Sequence, residues 1–281
     1  MIDRICISIN NACNLKCRYC HFREKHDIIE PAPMDVYMIL RNAKSYIDRH
    51  KIGCFKIGFV GNGEPLLDYP LLRSCVIDIS DYLSDGRIKA YTITNGTVVT
   101  EDMVRFLVQH NVTIGFSIDG PRVLHDFLRD GSFSRTMAGI ELYRKIVGQY
   151  PPINATIGHE SLAIADEVVE FMRRFKSRIT FSRMIGSCQI SLDAYHDFMA
   201  KARGALDVRV GGLDCTMYGG SCGAGLNNFY FANGKVWLCG NCMDMPPLCD
   251  AEVPFDEIPV SRFKFNRSQC FKEIYKGETA T

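Results

Sequence analysis

Three cysteines lie close together near the start of the chain, in the stretch ACNLKCRYCHF. They are Cys13, Cys17 and Cys20, with the spacing C-x3-C-x2-C. A structural zinc site is closed by four protein ligands, and here His21 or His26 would have to be the fourth. Neighbouring side chains rarely converge on one metal, which counts against His21 beside Cys20. An iron–sulfur cluster on three thiolates leaves one iron open to a small molecule, so the pattern favours a reactive iron site.

A second group of cysteines lies near the other end of the chain, in a glycine-rich region: Cys215, Cys222, Cys239, Cys242, Cys249 and Cys270. Asn233-Gly234 is a strong two-residue turn signal and predicts a hairpin over Phe229 to Leu238. A small region with many thiols and little core is usually held by metal. We therefore predict a metal-bound C-terminal domain, with a boundary near residue 210 that divides the chain into 1–210 and 211–281.

The composition limits the classes of function. The chain has 281 residues, is 47% hydrophobic and carries a net charge of +1, so it gives no support to nucleic-acid binding. The N-terminus lacks the features of a signal peptide, and no apolar run reaches the length of a membrane span. We therefore expect a cytoplasmic protein without a membrane partner. Thirteen cysteines in a reducing compartment indicate metal or redox chemistry. Cys6, Cys54 and Cys75 stand in apolar runs and are predicted to be small buried side chains.

The first 210 residues alternate strand-like and helix-like segments, which predicts an α/β fold with six βα units and a parallel sheet covered by helices. The pattern fits either an open doubly wound sheet or a partial barrel. Three polar or glycine-rich stretches follow strands: residues 61–65 (GNGEP), 94–96 (TNG) and 117–120 (SIDG). Together with the first cysteine loop they would meet at the carboxyl edge of the sheet, where α/β proteins bind ligands.

These motifs resemble those of the radical S-adenosylmethionine (SAM) superfamily. The three-cysteine loop, with Tyr19 before its last cysteine, resembles the first motif, and GNGEP resembles the second. The stretch SIDGPRVLHDFLR resembles radical SAM enzymes that modify peptides and proteins, including sulfatase maturases and ribosomal-peptide maturases. The pattern Cys222-x11-Gly234-x4-Cys239 resembles their SPASM or twitch auxiliary-cluster domain. The resemblance implies a partial (β/α)6 TIM-like barrel with a small cysteine-rich C-terminal domain.

The resemblance also implies roles for individual residues. Cys13, Cys17 and Cys20 would bind a [4Fe–4S] cluster that chelates SAM. Around the bound SAM, Tyr19 would lie near the adenine, Gly63 and Glu64 would hold the amine end, Asn95 would line the pocket, and Ser117 with Arg129 or Arg135 would bind the carboxylate.

The resemblance assigns the second cysteine group to an auxiliary [4Fe–4S] cluster, and structural zinc remains the alternative. The ligands would be Cys215, Cys222, Cys239 and a fourth cysteine: Cys242, which forms a C-x2-C pair with Cys239, or else Cys249 or Cys270. Cys188, in the loop after the sixth strand, would either donate a hydrogen atom to a substrate radical or be a bystander thiol.

The implied activity is reductive cleavage of SAM, followed by modification of a ribosomally synthesised peptide through a cross-link, an epimerisation or an oxidation. The alternatives are a related enzyme, such as a dehydrogenase, acting on a small biosynthetic intermediate, and a non-catalytic metal-binding scaffold. The expected partners are a precursor peptide and an electron donor such as flavodoxin or ferredoxin. Because the first strand begins within a few residues of Met1, we expect a precursor's leader to be recognised by a separate protein or by the barrel.

Overall fold

The computed structural model describes residues 1–20, 22, 33–184, 188–213, 223–243 and 245–259. Within these ranges, the side chains of Pro33, Met34, Leu213 and Cys242 are not described. None of the helices in the described part of the chain has both the length and the apolar character needed to cross a membrane.

The described strands form one sheet of ten strands, in the order β10-β9-β8-β1-β2-β3-β4-β5-β6-β7. Strands β1 to β7 run parallel to their neighbours, and β8 is also parallel to β1. The strands are β1 (Arg4–Ser8), β2 (Phe55–Val60), β3 (Ile88–Thr94), β4 (Thr113–Ser117), β5 (Ile153–Ile157), β6 (Ile179–Arg183), β7 (Val210–Leu213), β8 (Asn228–Ala232), β9 (Lys235–Trp237) and β10 (Cys249–Asp250).

Helices connect the parallel strands and cover one face of the sheet. They are α1 (Pro33–His50), α2 (Tyr69–Asp78), α3 (Ser80–Ser84), α4 (Glu101–Gln109), α5 (Arg122–Leu128), α6 (Phe133–Val147), α7 (His159–Ala163), α8 (Ala165–Met172) and α9 (Leu192–Ala205). Alternate strand residues such as Ile5, Ile7 and Phe59 are fully buried in a core shared with these helices. The strand period of two therefore fixes which face packs on the helices.

The opposite, inward face of the sheet carries small and polar side chains. Cys6, Gly58 and Tyr91 are register partners on β1, β2 and β3. A Cβ atom on Gly58 would lie 2.6 Å from the Tyr91 ring, so glycine is what lets Tyr91 reach the Cys6 thiol at 3.3 Å. Of the three cysteines predicted to be buried, Cys75 is buried, but Cys54 is exposed and Cys6 is part-exposed on the inward face. The prediction was wrong for those two because an apolar run does not reveal where a strand begins or which face each of its residues takes.

The predicted hairpin is confirmed as β8 and β9. Its turn residues, Asn233 and Gly234, both have positive φ angles, of 53° and 69°, which are the conformations a tight hairpin turn requires. The hairpin does not stand apart from the barrel sheet, because β8 pairs with β1 along Arg4–Ile7. The described chain also has a seventh parallel strand, β7, beyond the six predicted.

Candidate active site

The cysteine loop follows β1 at the carboxyl edge of the sheet and is anchored by backbone hydrogen bonds on both sides. Glu64 N–H donates to the Ala12 carbonyl oxygen at 2.8 Å, and Arg18 N–H donates to the Leu128 carbonyl at 2.9 Å. Lys16 N–H donates to a carboxylate oxygen of Asp130 at 3.1 Å. The loop is therefore held between the end of β2 and the end of α5.

The three thiols of this loop share one electrostatic environment. Burial raises the pKa of Cys17 to about 11, the Arg129 guanidinium opposes that rise, and Cys13 and Cys20 reinforce it. Cys13 is exposed, whereas Cys17 and Cys20 are part-buried. Among the residues that the structure describes, no three His, Cys, Asp or Glu side chains already form a preorganised metal site. The loop thus carries three soft sulfur donors, the ligands that iron–sulfur clusters use.

Gly63 allows the second motif to lie directly against the cysteine loop. A Cβ atom at this position would lie 1.9 Å from the Ala12 carbonyl oxygen and 2.7 Å from the Asn10 side-chain oxygen. Both neighbours are fixed, since one is backbone and the other belongs to a buried residue. No side chain fits here without moving the loop, so glycine is required by packing.

Glu64 is a buried carboxylate that accepts three hydrogen bonds from the chain. It accepts hydrogen bonds from Leu66 N–H (3.1 Å), the Thr94 hydroxyl (2.6 Å) and Asn95 N–H (2.7 Å). Burial raises the pKa of Glu64, and these hydrogen bonds oppose the rise. The side chain therefore joins the end of β2 to the end of β3. The contact with the amine of SAM stays a prediction.

Asn95 connects the end of β3 to the cysteine loop through its side chain. Its amide donates to the Asn14 side-chain oxygen at 2.9 Å, and its own side-chain oxygen accepts from Thr97 N–H and from the Thr97 hydroxyl. Asn14 in turn donates to the Thr97 hydroxyl at 2.8 Å. Sequence reasoning gave Asn95 a role and missed Asn14, although Asn14 stands directly after Cys13.

Asp119 is the centre of a buried network that sequence reasoning also missed. The Tyr19 hydroxyl donates to its carboxylate at 2.7 Å, and the Arg129 guanidinium donates two hydrogen bonds, at 2.7 and 3.2 Å. Thr156 N–H donates a fourth, at 2.9 Å. Burial is the largest single effect and would raise the pKa of Asp119, but the Arg129 charge and the hydrogen bonds to the carboxylate together outweigh it, so the net pKa is lowered. The available signal was the position of Asp119 inside the SIDG stretch.

His125 extends this network on its far side. Its Nδ1 accepts a hydrogen bond from Asp119 N–H at 3.3 Å, so Nε2 carries the proton and donates to the Ser132 hydroxyl at 3.0 Å. The imidazole is completely buried, and burial lowers its pKa to about 4. A neutral histidine therefore braces the turn between β4 and α5.

Residues 7–160, a little over half of the chain, match the profile of the Radical SAM superfamily. The chain belongs to the radical SAM superfamily. This membership confirms the resemblance that the motifs indicated. The cofactors are therefore SAM and a [4Fe–4S] cluster, and the three thiols to be tested as ligands of that cluster are Cys13, Cys17 and Cys20. Three thiols on one loop, beside the glycine-rich second motif, fit that group.

Comparisons with known radical SAM proteins support the same fold. The chain is 29% identical over 147 residues to the serine-type anaerobic sulfatase-maturating enzyme of Bacteroides thetaiotaomicron, covering 49% of this chain and 35% of the relative. The chain spans less than half the length of the first curated relatives it matches. Among solved structures, anSMEcpe with bound AdoMet superposes with a TM-score of 0.73 at 18% identity, covering 97% of this chain and 79% of the other.

Streptococcus suis SuiB bound to its precursor peptide SuiA superposes with a TM-score of 0.71 at 17% identity, covering 100% of this chain and 67% of SuiB. At these identities the likeness concerns the fold. It confirms the predicted fold class, an α/β radical SAM barrel.

The remaining residues predicted for the site of this radical SAM protein lie outside the hydrogen-bond networks described above. Ser117 ends β4, part-buried on the inward face, and Arg135 is exposed on α6. Cys188 is part-buried against the hydrophobic core. In the predicted auxiliary site, Cys239 follows β9, and its charge adds to the raised pKa of Tyr230, which burial chiefly causes. Cys215, Cys222 and Cys270 lie outside the described residues, as does the side chain of Cys242.

Proposed function

We propose that this chain is a radical SAM enzyme that modifies a ribosomally synthesised peptide or protein. The observation that carries the proposal is the meeting of three motifs at one edge of the sheet: the cysteine loop, GNGEP and the SIDG stretch. Asp119 and Glu64 bind these motifs together from the inside. Support for a peptide substrate comes from the sulfatase-maturating relative and from the fold shared with SuiB, whose structure contains a precursor peptide.

In this proposal the cluster and SAM, when bound, would supply the hydrogen-abstracting chemistry. The residues of the chain hold the cofactors and orient them. Cys13, Cys17 and Cys20 hold the cluster, and Tyr19, fixed by Asp119, presents its ring to the adenine. Exclusion of water by the surrounding barrel protects a reactive intermediate.

The other end of SAM would lie along the ends of β2, β3 and β4. Gly63, Glu64 and Asn95 would face the amine end, and Ser117 would donate to the carboxylate. Arg129 or Arg135 would supply the matching positive charge, since a guanidinium can grip a carboxylate with two hydrogen bonds. Arg129 already gives two of its hydrogen bonds to Asp119, which makes Arg135 the residue to test beside it.

We further propose that residues 211–281 form a domain carrying an auxiliary [4Fe–4S] cluster. Its ligands would be Cys215, Cys222, Cys239 and Cys242, and Cys188 would be a hydrogen-atom donor from the loop after β6. A flavodoxin or ferredoxin would deliver electrons, and a separate protein would present the precursor's leader. Such chemistry needs a reducing compartment, and the cytoplasmic location stays a prediction.

The test is co-expression of the chain with the short reading frames that flank its gene, followed by mass spectrometry of each peptide. A loss of about two daltons would indicate a cross-link or oxidation, because either reaction removes two hydrogens. An unchanged mass with one deuterium gained from heavy water would indicate epimerisation. The proposal fails if every peptide is unchanged while a small metabolite stimulates 5′-deoxyadenosine release. Cys17→Ala is the negative control, and exposed Cys54→Ala is the matched control.

A further inference from the structure

Five cations ring the amino end of the barrel, opposite the edge that carries the cysteine loop. Each stands at the start of a parallel strand or immediately before it: Arg4, Lys56, Lys89, Arg178 and Arg209. Arg4 pairs in register with Lys56, and Lys56 pairs with Lys89, so these three lie on neighbouring strands about 4.8 Å apart. The carbonyl groups of Arg178 and Arg209 continue the sheet ladder below β5 and β6, accepting from Ile153 N–H and Ile179 N–H.

Strand alternation places Arg4, Lys56 and Lys89 on the inward face of the barrel, and Arg178 and Arg209, one residue before β6 and β7, continue the same alternation. Arg4 shares its face with Cys6, Lys56 with Gly58 and Lys89 with Tyr91, and the Cys6 thiol and Tyr91 hydroxyl are in contact there. Burial raises the pKa of Tyr91 well above its usual range, and the charges of Arg4 and Arg178 both oppose that rise. The Tyr91 hydroxyl on β3 thus feels the charge of Arg4 on β1 and of Arg178, immediately before β6.

Among the described residues, the ring has no compensating carboxylates. Within the part of the chain that the structure describes, none of the five cations has a carboxylate oxygen within 4.0 Å, although other cations of this protein are paired, as Lys44 is with Asp78. Like charges gathered in one mouth repel one another. Binding of an anion to these cations would relieve that repulsion.

Above the ring, the inward face leads to the candidate active site. Its residues include Cys6, Ser8 and Asn10 along β1, with Ser117 and Thr156 near the ends of β4 and β5. Tyr91 and Tyr230 lie on the same face beside Cys6. From Arg4 to Asn10 six residues of extended strand measure about 20 Å, the length of an extended peptide of similar size.

We propose that this cation ring binds acidic side chains of the peptide substrate, which enters the barrel at its amino end and reaches the SAM site from below. The inference rests on the proposed function and adds a substrate property to it, namely Asp or Glu residues flanking the modified position. An inward-facing ring suits a single extended chain better than the convex surface of a redox protein.

The test measures binding directly, with full-length protein and a fluorescein-labelled ten-residue probe of alternating Glu and Gly. A second probe replaces every Glu with Gln. Lys56→Glu/Lys89→Glu reverses two cations of the ring at exposed positions, and Lys56→Gln/Lys89→Gln neutralises them. Lys145→Glu/Arg203→Glu makes the same charge change on the outer helices α6 and α9. Fluorescence anisotropy should show at least tenfold weaker binding of the Glu probe to the reversed variant, a smaller loss for the neutralised variant, and none for the control.

Binding of the Glu probe should also weaken as salt is raised from 50 to 300 mM, since exposed charge pairs are screened. Equal binding of the Glu and Gln probes, or equal binding by wild type and the reversed variant, would overturn the proposal. It would also be overturned if the reversed variant lost binding to purified flavodoxin while keeping the Glu probe, which would assign the ring to the reductant. Release of 5′-deoxyadenosine is measured separately, so failure of the proposed function is distinguishable from failure of the ring.

Discussion

The Tyr19 hydroxyl donates a 2.7 Å hydrogen bond to the carboxylate of Asp119, one hundred residues further along the chain. Tyr19 lies between Cys17 and Cys20, so this contact ties the cysteine loop to the end of β4. The same carboxylate holds Arg129 with two hydrogen bonds. Asp119 therefore positions both the aromatic ring of Tyr19 and the guanidinium of Arg129, which border the candidate SAM site.

Replacing Asp119 should destabilise the protein strongly. Asp119→Asn leaves the Arg129 guanidinium buried without its counter-charge, and breaking such a pair costs about 3–5 kcal/mol. Chemical denaturation should show a loss of this size in the free energy of unfolding. Tyr19→Phe removes one hydrogen bond and should cost about 1.5–3 kcal/mol. Asp130→Asn, an exposed carboxylate bound to the same loop, is the matched control. Equal stabilities of Asp119→Asn and the control would contradict the role of this network.

Glu64→Ala should lower both stability and SAM cleavage while leaving the iron content unchanged. The variant leaves the buried N–H groups of Leu66 and Asn95 without an acceptor, at a cost of about 1–3 kcal/mol. Thr94→Val keeps the carboxylate but removes the Thr94 hydroxyl, which donates to Glu64 and accepts from Gly96 N–H. It should lose some stability while its rate of 5′-deoxyadenosine release stays near that of wild type. Unchanged SAM cleavage in Glu64→Ala would refute the placement of the second motif.

We expect Arg135 to bind SAM and Arg129 to stabilise the fold. Arg135 is exposed, so Arg135→Ala should leave the free energy of unfolding unchanged but raise the SAM dissociation constant at least tenfold, the size expected for a charged hydrogen bond. Arg129→Ala leaves Asp119 buried and unpaired, and should lose stability first. Equilibrium dialysis of cluster-loaded protein against labelled SAM measures the constant, with Lys145→Ala as control. Tight SAM binding by Arg135→Ala would indicate that Arg129, and not Arg135, binds the SAM carboxylate.

The buried His125 should make stability depend on pH. Its pKa is about 4 in the folded protein and about 6.5 when unfolded, so between these values the unfolded state binds more protons. Stability should therefore rise with pH across this window, and lowering the pH from 7 to 5 should cost about 2 kcal/mol through this residue. His125→Gln should show a flatter profile in urea denaturation at the two pH values. Parallel profiles for wild type and variant would show that His125 is not buried in the neutral form.

Most strands could be predicted because their signals are local. The alternating apolar residues from Val112 to Ile118 predict a strand, which the structure has as β4, and Asn233-Gly234 marks the hairpin turn. The helical spacing from Tyr69 to Leu83 predicts one helix, but the structure has two, with a break at Ile79, whose backbone N–H bonds back to Cys75 and Ile77. No glycine or proline marks that break in the sequence.

The contacts that build the site join residues that are far apart in the chain, so they were harder to predict from the sequence. Cysteine spacing predicts Cys13, Cys17 and Cys20 as ligands because metal ligands of this kind lie close together in the chain. Asp119 bonds to a residue one hundred positions away, and β8 pairs with β1 across more than two hundred positions. Neither partner can be read from its neighbours in sequence, since register between distant strands is set by the assembled sheet.

We expect Cys13, Cys17 and Cys20 to hold the cluster that cleaves SAM. The most direct measurement is 5′-deoxyadenosine release by anaerobically reconstituted, chemically reduced protein, with iron determined on the same samples. Wild type should release the product, and the variant with all three cysteines changed to alanine should release none while keeping one cluster's worth of iron in the C-terminal site. Product release by the triple variant, or none by the iron-loaded wild type, would contradict the account.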